Sequence, residues 1–135
     1  IGGMWGDDNQ FPQVDICAPC ASGGVLNERT IPLIKAAGIG AVIGCANCQF
    51  DDVIKDALRL HQAGILHGVD HLVNGAGLLD AAENLHFIDD AKRRINRIGG
   101  RMVEIMEMSL PQNQNRPPMF VARDYFQQMK LRTAA

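Results

Sequence analysis

Short apolar runs alternate with amphipathic stretches along this chain, and the two patterns predict different elements. Val14 to Ala18 is a short, mainly apolar run closed by Pro19, as suits a buried strand. Ala41 to Cys45 is a second such run and Gly64 to His67 a third, with a further extended piece expected over His71 to Val73. Helical spacing fills the intervals. Asn27 can cap a helix running to about Ala37, with Pro32 near its first turn and Gly38 as its stop. Asp51 or Asp52 opens a second helix whose Val53, Ile54, Ala57, Leu58 and Leu60 share one face, ended by Gly64. A third helix is expected from about Ala76 to Leu85.

The longest pattern begins at Asp89 or Asp90. Ile95, Ile98, Met102, Ile105 and Met108 recur at helical spacing and predict one long amphipathic helix. Gly99 and Gly100 in its middle cost about 2 kcal/mol together relative to alanine, so a kink or a close packing contact is expected there. Residues 111–118 form a polar break with three prolines before a last helix over about 119–131. Strands alternating with helices predict an α/β fold, with a parallel sheet flanked by helices and a long C-terminal helix. Residues 1–13, with three glycines, two aspartates and a proline, read as a connector, which leaves 14–135 as one domain.

Composition narrows the class. The 135 residues are 47% hydrophobic and 21% charged, the balance of a globular chain, and the net charge of -2 gives no basic surplus for nucleic acid or an anionic membrane. No apolar run approaches the roughly 20 residues of a membrane span. The chain opens on Ile1 with no basic-then-apolar leader, so a cytoplasmic protein is expected, and with it a start inside a longer gene product.

Three segments carry a resemblance: DICAPCASGGVLN (15–27), IGCANCQF (43–50) and DHLVNGAGLLDAAENL (70–85). With AGILHGVD (63–70) and VARDYFQQMK (121–130), they resemble in order and spacing the Glu/Leu/Phe/Val amino acid dehydrogenases, most like the leucine and phenylalanine dehydrogenase branch. The resemblance implies the C-terminal half of a dinucleotide-binding domain, that is, part of a Rossmann-type sheet with ligands at the carboxyl ends of the strands. It implies oxidation of an amino acid by NAD. Cys20 and Ala21 would border the cofactor near its ribose and nicotinamide, with Ala46, Asn47 and Cys48 on the next strand. The family usually has Asn where this chain has Cys48, so a weak thiol replaces an amide. Asn74 matches the family asparagine that helps to hold substrate. Leu78 and Ala81 match positions lining the side-chain pocket, and their apolar character suits a branched or aromatic amino acid. The turn reads NGAG at 74–77 where the family usually has NAGG.

The resemblance also marks absences. No G-x-G-x-x-G phosphate loop follows a strand, and Lys35, Lys55, Lys92 and Lys130 match none of the family's catalytic lysines, which belong to an N-terminal domain. No catalytic residue is therefore assigned. The chain is expected to supply cofactor and substrate walls, to need the missing N-terminal domain or a companion chain, to form an oligomer, and to be inactive alone. The other reading is a non-catalytic binding or interaction module.

Four cysteines form two C-x-x-C pairs, Cys17/Cys20 and Cys45/Cys48, separated by 24 residues. Two such pairs are a zinc signature, although this gap is longer than usual. In the family-like fold both pairs sit at the ends of neighbouring strands, so a zinc or iron–sulfur site of Cys17, Cys20, Cys45 and Cys48 is the alternative to small thiols packed at buried strand ends. His61, His67, His71 and His86 read as surface or hydrogen-bonded core residues. Met102, Met106 and Met108 read as core filler, and the basic run Lys92, Arg93, Arg94, Arg97 and Arg101 as a solvated helix face.

Overall fold

The three apolar runs pair side by side. In the computed structural model, which describes residues 13–133, β1 (Ile16–Cys17), β2 (Ala41–Ile43) and β3 (Leu66–Gly68) form a parallel sheet in that order. Cys17 is in register with Val42, and Val42 with His67. The connector expected over 1–13 lies, except for Gln13, outside the described residues. The strands are shorter than the apolar runs because the chain leaves the ladder at Pro19 and Gly44. A Cβ on Gly44 would stand 2.0 Å from the Pro19 carbonyl oxygen, so only glycine admits this crossing.

Two helices make the crossovers between parallel strands. The first, α1 (Thr30–Ala36), starts three residues beyond Asn27, because the Asn27 carboxamide accepts from the main-chain N–H groups of Arg29 and Thr30 and so organises the turn before the helix. The second, α2 (Val53–Gln62), is capped by Asp52, which accepts from Ile54 and Lys55. Both end before a glycine with positive φ, Gly38 at +76° and Gly64 at +75°, as the left-handed C-terminal turn requires. Ile31 and Ile34 of α1, Ala57 and Leu60 of α2, and Val42 of the central strand join Val25, Leu26, Ile39, Phe50 and Ile65 in one buried cluster.

The rest of the described chain is helical: α3 (Asp70–Val73), α4 (Ala76–Asn84), α5 (Ala91–Ile95), α6 (Ile98–Ser109) and α7 (Pro118–Thr133). A second core forms where Met102 and Ile105 of α6 meet Val121 and Ala122 of α7 over Val69 and Leu72, with Met106 and Met108 packed against it as expected of filler.

Two expectations are corrected here. His71 to Val73 is helical rather than extended: Val73 and Asn74 donate back to the carbonyls of Val69 and Asp70, and the Asp70 carboxylate accepts from the His71 N–H at the start of the turn. The long helix from Asp90 is two helices, α5 and α6, interrupted at Asn96–Arg97. Gly99 and Gly100 lie in the first turn of α6, and nothing stands within 4 Å of a Cβ on either, so neither marks a close contact. The longest described helix is α7, at 16 residues.

Candidate functional site

Chain geometry gathers the strand tips. Beyond β1 and β2, where the chain leaves the ladder, the two segments remain in contact, the Ala46 N–H donating to the Pro19 carbonyl at 3.0 Å. Residues 24–26 return alongside 48–51: Gly24 donates to Cys48, Leu26 to Gln49, and Asp51 to Leu26. A Cβ on Gly23 would lie 2.8 Å from the carbonyl oxygens of both Asn47 and Cys48, so the glycine at 23 is demanded by this close approach. The turn after α3 then reaches the same place, where the Asn74 Nδ2 donates to Asn47 Oδ1 at 2.5 Å. Segments 18–23, 44–48 and the turn at Asn74, far apart in sequence, thus share one end of the sheet.

A buried polar set fixes the 44–49 loop. The Gln49 Nε2 donates to the carbonyls of Gly44 (2.7 Å) and Ala46 (3.2 Å), and the Gln49 N–H donates to Asp70 Oδ2 at 3.0 Å. Gln49 is fully buried and Asp70 nearly so. Burial pushes the Asp70 carboxyl up, yet its bonds from His71 and Gln49 prevail and hold it down at about 2. It is therefore a fixed anion that clamps the loop to α3. His67 lies beside it, packed on the Phe50 ring at 4.6 Å, with neither ring nitrogen hydrogen-bonded within the described chain. Burial pushes its imidazole down to about 4, so it is neutral near pH 7. Reading the sequence as a run of strands missed this set. The signal available was Asp70 directly after an apolar strand, at the start of a helical turn.

The assigned residues fall into two groups. Cys20, Ala21, Asn47 and Cys48 are exposed around the strand tips. Ala46 is there too, but it is buried, and both its N–H and its carbonyl are engaged within the chain. Cys48 has φ +50°, a left-handed conformation that asparagine tolerates better than most other residues. Asn74 joins this group through Asn47. Leu78 and Ala81 are on α4, both exposed, Leu78 at 76%. The side-chain bond that ties the turn to the strand tips stops at Asn74. The tips thus present amide, thiol and small apolar groups, able to orient a ligand by hydrogen bonds, and none of these side chains is a strong base.

The cysteines part company. Cys17 is half-buried against the first core, and burial, with the nearby Cys20, pushes its thiol up. Cys20 and Cys45 are exposed free thiols, and hydrogen bonding from Cys45 pulls the Cys20 thiol down while that of Cys45 is pushed up. Among the described residues no group of three or more His, Cys, Asp or Glu is placed to hold a metal ion. The four-sulfur alternative is therefore corrected. Such a site needs all four sulfurs about 2.3 Å from one point, whereas Cys17 is packed against the first core. Nor does any described helix have the length and apolarity to cross a membrane.

Comparison with known proteins agrees with this geometry. No family model matches the chain. Phenylalanine dehydrogenase of Lysinibacillus sphaericus is 42% identical over 80 residues, 59% of this chain and 20% of that protein. L-tryptophan dehydrogenase of Nostoc punctiforme is 33% identical over 101 residues, 73% of this chain and 28% of the relative. Leucine dehydrogenase of Geobacillus stearothermophilus is 28% identical over 123 residues, 90% of this chain and 32% of the relative. The crystal structure of the Nostoc punctiforme L-tryptophan dehydrogenase superposes with a TM-score of 0.72 at 30% identity, over 83% of this chain and 33% of that one. The parallel sheet and its helices thus match part of a Rossmann-like dehydrogenase domain. The chain spans between a fifth and a third of the length of these relatives, and over that span it belongs to the amino acid dehydrogenase family.

Proposed function

We propose that this chain is part of an NAD-dependent dehydrogenase that oxidises an amino acid with an apolar side chain, and that it supplies walls of the site but not the catalytic residues. The observation that carries this reading is the Asn74–Asn47 bond, which ties the start of the turn at 74–77 to the strand tips. Cys20, Ala21, Asn47 and Cys48 are the residues that would hold the dinucleotide, with Ala46 behind them. They fit such a group because they are small or amide-bearing and exposed at the carboxyl ends of parallel strands. When bound, the nicotinamide accepts the hydride.

The chain's own residues orient. Asn47 fixes the Asn74 carboxamide, the Gln49–Asp70 pair holds the loop that carries Asn47, and Leu78 and Ala81 give the amino acid side chain an apolar surface. The relatives named for phenylalanine, leucine and tryptophan support an apolar substrate in preference to glutamate. A general base has to come from residues outside this segment. The test is NAD reduction by two proteins, the isolated 135-residue chain and the complete gene product that contains it. The expected result is turnover of leucine, phenylalanine, valine or tryptophan by the complete product, none of glutamate, and none of any amino acid by the chain alone. Glutamate turnover, or turnover by the isolated chain, would overturn the proposal.

A further inference from the structure

We infer that Cys20 and Cys45 form a redox-active pair that closes a disulfide across the tips of β1 and β2 while the chain remains folded. The crossing of the strand ends carries the inference. Cys17 lies opposite Val42 in the ladder, and just beyond it Pro19 and Gly44 cross in close contact, which brings the residues that follow them, Cys20 and Cys45, to the same strand tips. The two strand ends stay in contact past the ladder: Gly44 lies against the Pro19 backbone, and the Ala46 N–H, one residue beyond the ladder spacing, donates to the Pro19 carbonyl at 3.0 Å. Neighbouring positions across adjacent strands fall within the range of Cα separations that disulfides span. The main-chain N–H and the thiol of Cys45 both act on the Cys20 sulfur, so the two thiols are neighbours.

The chemistry is asymmetric in a useful way. Those two donors favour the Cys20 thiolate and pull its pKa down, while the thiol of Cys45, which gives its proton to that bond, is pushed up. Cys20 is therefore the attacking sulfur and Cys45 the resolving one. With a small-molecule disulfide as oxidant, the Cys20 thiolate forms a bond to one of its sulfurs and expels the other as a thiolate. Cys45, once deprotonated, then attacks Cys20 and releases the second thiolate. The two protein thiols lose two protons and two electrons, and the oxidant becomes two thiols. Both cysteines are exposed, so the oxidant has access.

Chain entropy alone favours pairing within either C-x-x-C. In an unfolded chain the Cys17–Cys20 loop of 4 residues closes roughly 15-fold more readily than the Cys20–Cys45 loop of 26. Folding reverses that preference, since Cys17 packs against the core and Cys20 faces Cys45.

The test is disulfide mapping of the full chain equilibrated with reduced and oxidised glutathione, once in native buffer and once in denaturant, with folding followed by circular dichroism. In native buffer the expected product is a single Cys20–Cys45 link, about 2 Da lighter than the reduced chain. That link should persist in a Cys17→Ser, Cys48→Ser double variant and vanish in Cys45→Ser, where Cys20 should instead trap glutathione. In denaturant the C-x-x-C links should dominate. Native C-x-x-C pairing, or no link in a chain that stays folded, would overturn the inference. The measurement needs neither dinucleotide nor amino acid, so it stands or falls apart from the proposed activity.

Discussion

The sheet with α1 and α2 and the arm formed by α4 and α5 are built on opposite terms. In the first, apolar side chains point inward: Leu26, Ile34, Val42 and Leu60 are essentially inaccessible. In the second, α4 has no buried residue, α5 has only Ala91, and Leu78, Leu85 and Phe87 are 76%, 65% and 77% exposed. The strand tips are held by the first region, through glycines that admit close crossings and through the Gln49–Asp70 clamp. The apolar residues proposed to meet substrate belong to the second. The lesson is that placement of the site is a property of the packed sheet, whereas the substrate side is a surface whose apolar groups carry little of the folding energy.

The largest effect expected from this comparison is in the first core. Leu60→Ala removes a buried side chain from its centre and should destabilise the chain by roughly 3–4 kcal/mol in urea unfolding. A loss of under 1 kcal/mol would mean that this core is loosely packed.

Next comes pH. Burial sets the His67 imidazole at about 4 in the folded chain, against an ordinary value of 6.5. The unfolded chain takes up the proton first as pH falls. Stability is therefore intact above about pH 6.5, declines as pH drops from there to about 4, and loses about 3 kcal/mol over that window. The Asp70 carboxyl, held at about 2 against 3.8, adds a further loss only below about pH 4. Unfolding curves from pH 7 to 4 should show the His67 loss, and His67→Leu should abolish it. An equally steep fall in that variant would place the titrating group elsewhere.

Asp70→Ala should cost about 2 kcal/mol, because it leaves the buried Gln49 N–H without its charged acceptor. It should also broaden the amide signals of residues 44–49, while α4 and α5 stay unchanged. Equal disturbance of the arm would show that the two regions are not separately held. Smallest of all, Leu78→Ser should change stability by less than about 0.5 kcal/mol. A larger cost would mean that α4 is covered in solution.

Much of this body was legible in the sequence, because the cues that build it are local. The apolar runs at 14–18 and 41–45, the Asp52 cap and the glycines at 38 and 64 each announce a boundary through their own chemistry. What was not legible depended on partners far along the chain. The run His71–Val73 reads equally well as strand or helix until Asp70 is seen turning back to His71 and Gln49. The interruption at Asn96–Arg97 has no proline or glycine to mark it, while the glycines just beyond it sit inside a regular helix. The tips of the site were placed through the resemblance. Sequence spacing groups the sulfurs within each C-x-x-C, whereas the crossing of Pro19 and Gly44 beyond β1 and β2 makes Cys20 and Cys45 neighbours.

The central claim, that residues 18–23, 44–48 and the turn at 74–77 form one dinucleotide-binding surface, is tested most directly by titrating the isotope-labelled chain with NAD and following its amide resonances. Shifts should cluster at Cys20, Ala21, Ala46, Asn47, Cys48 and Asn74, with α6 and α7 silent, and should fade in Asn47→Ala. Shifts confined to other parts of the molecule, or spread evenly over it, would contradict the account.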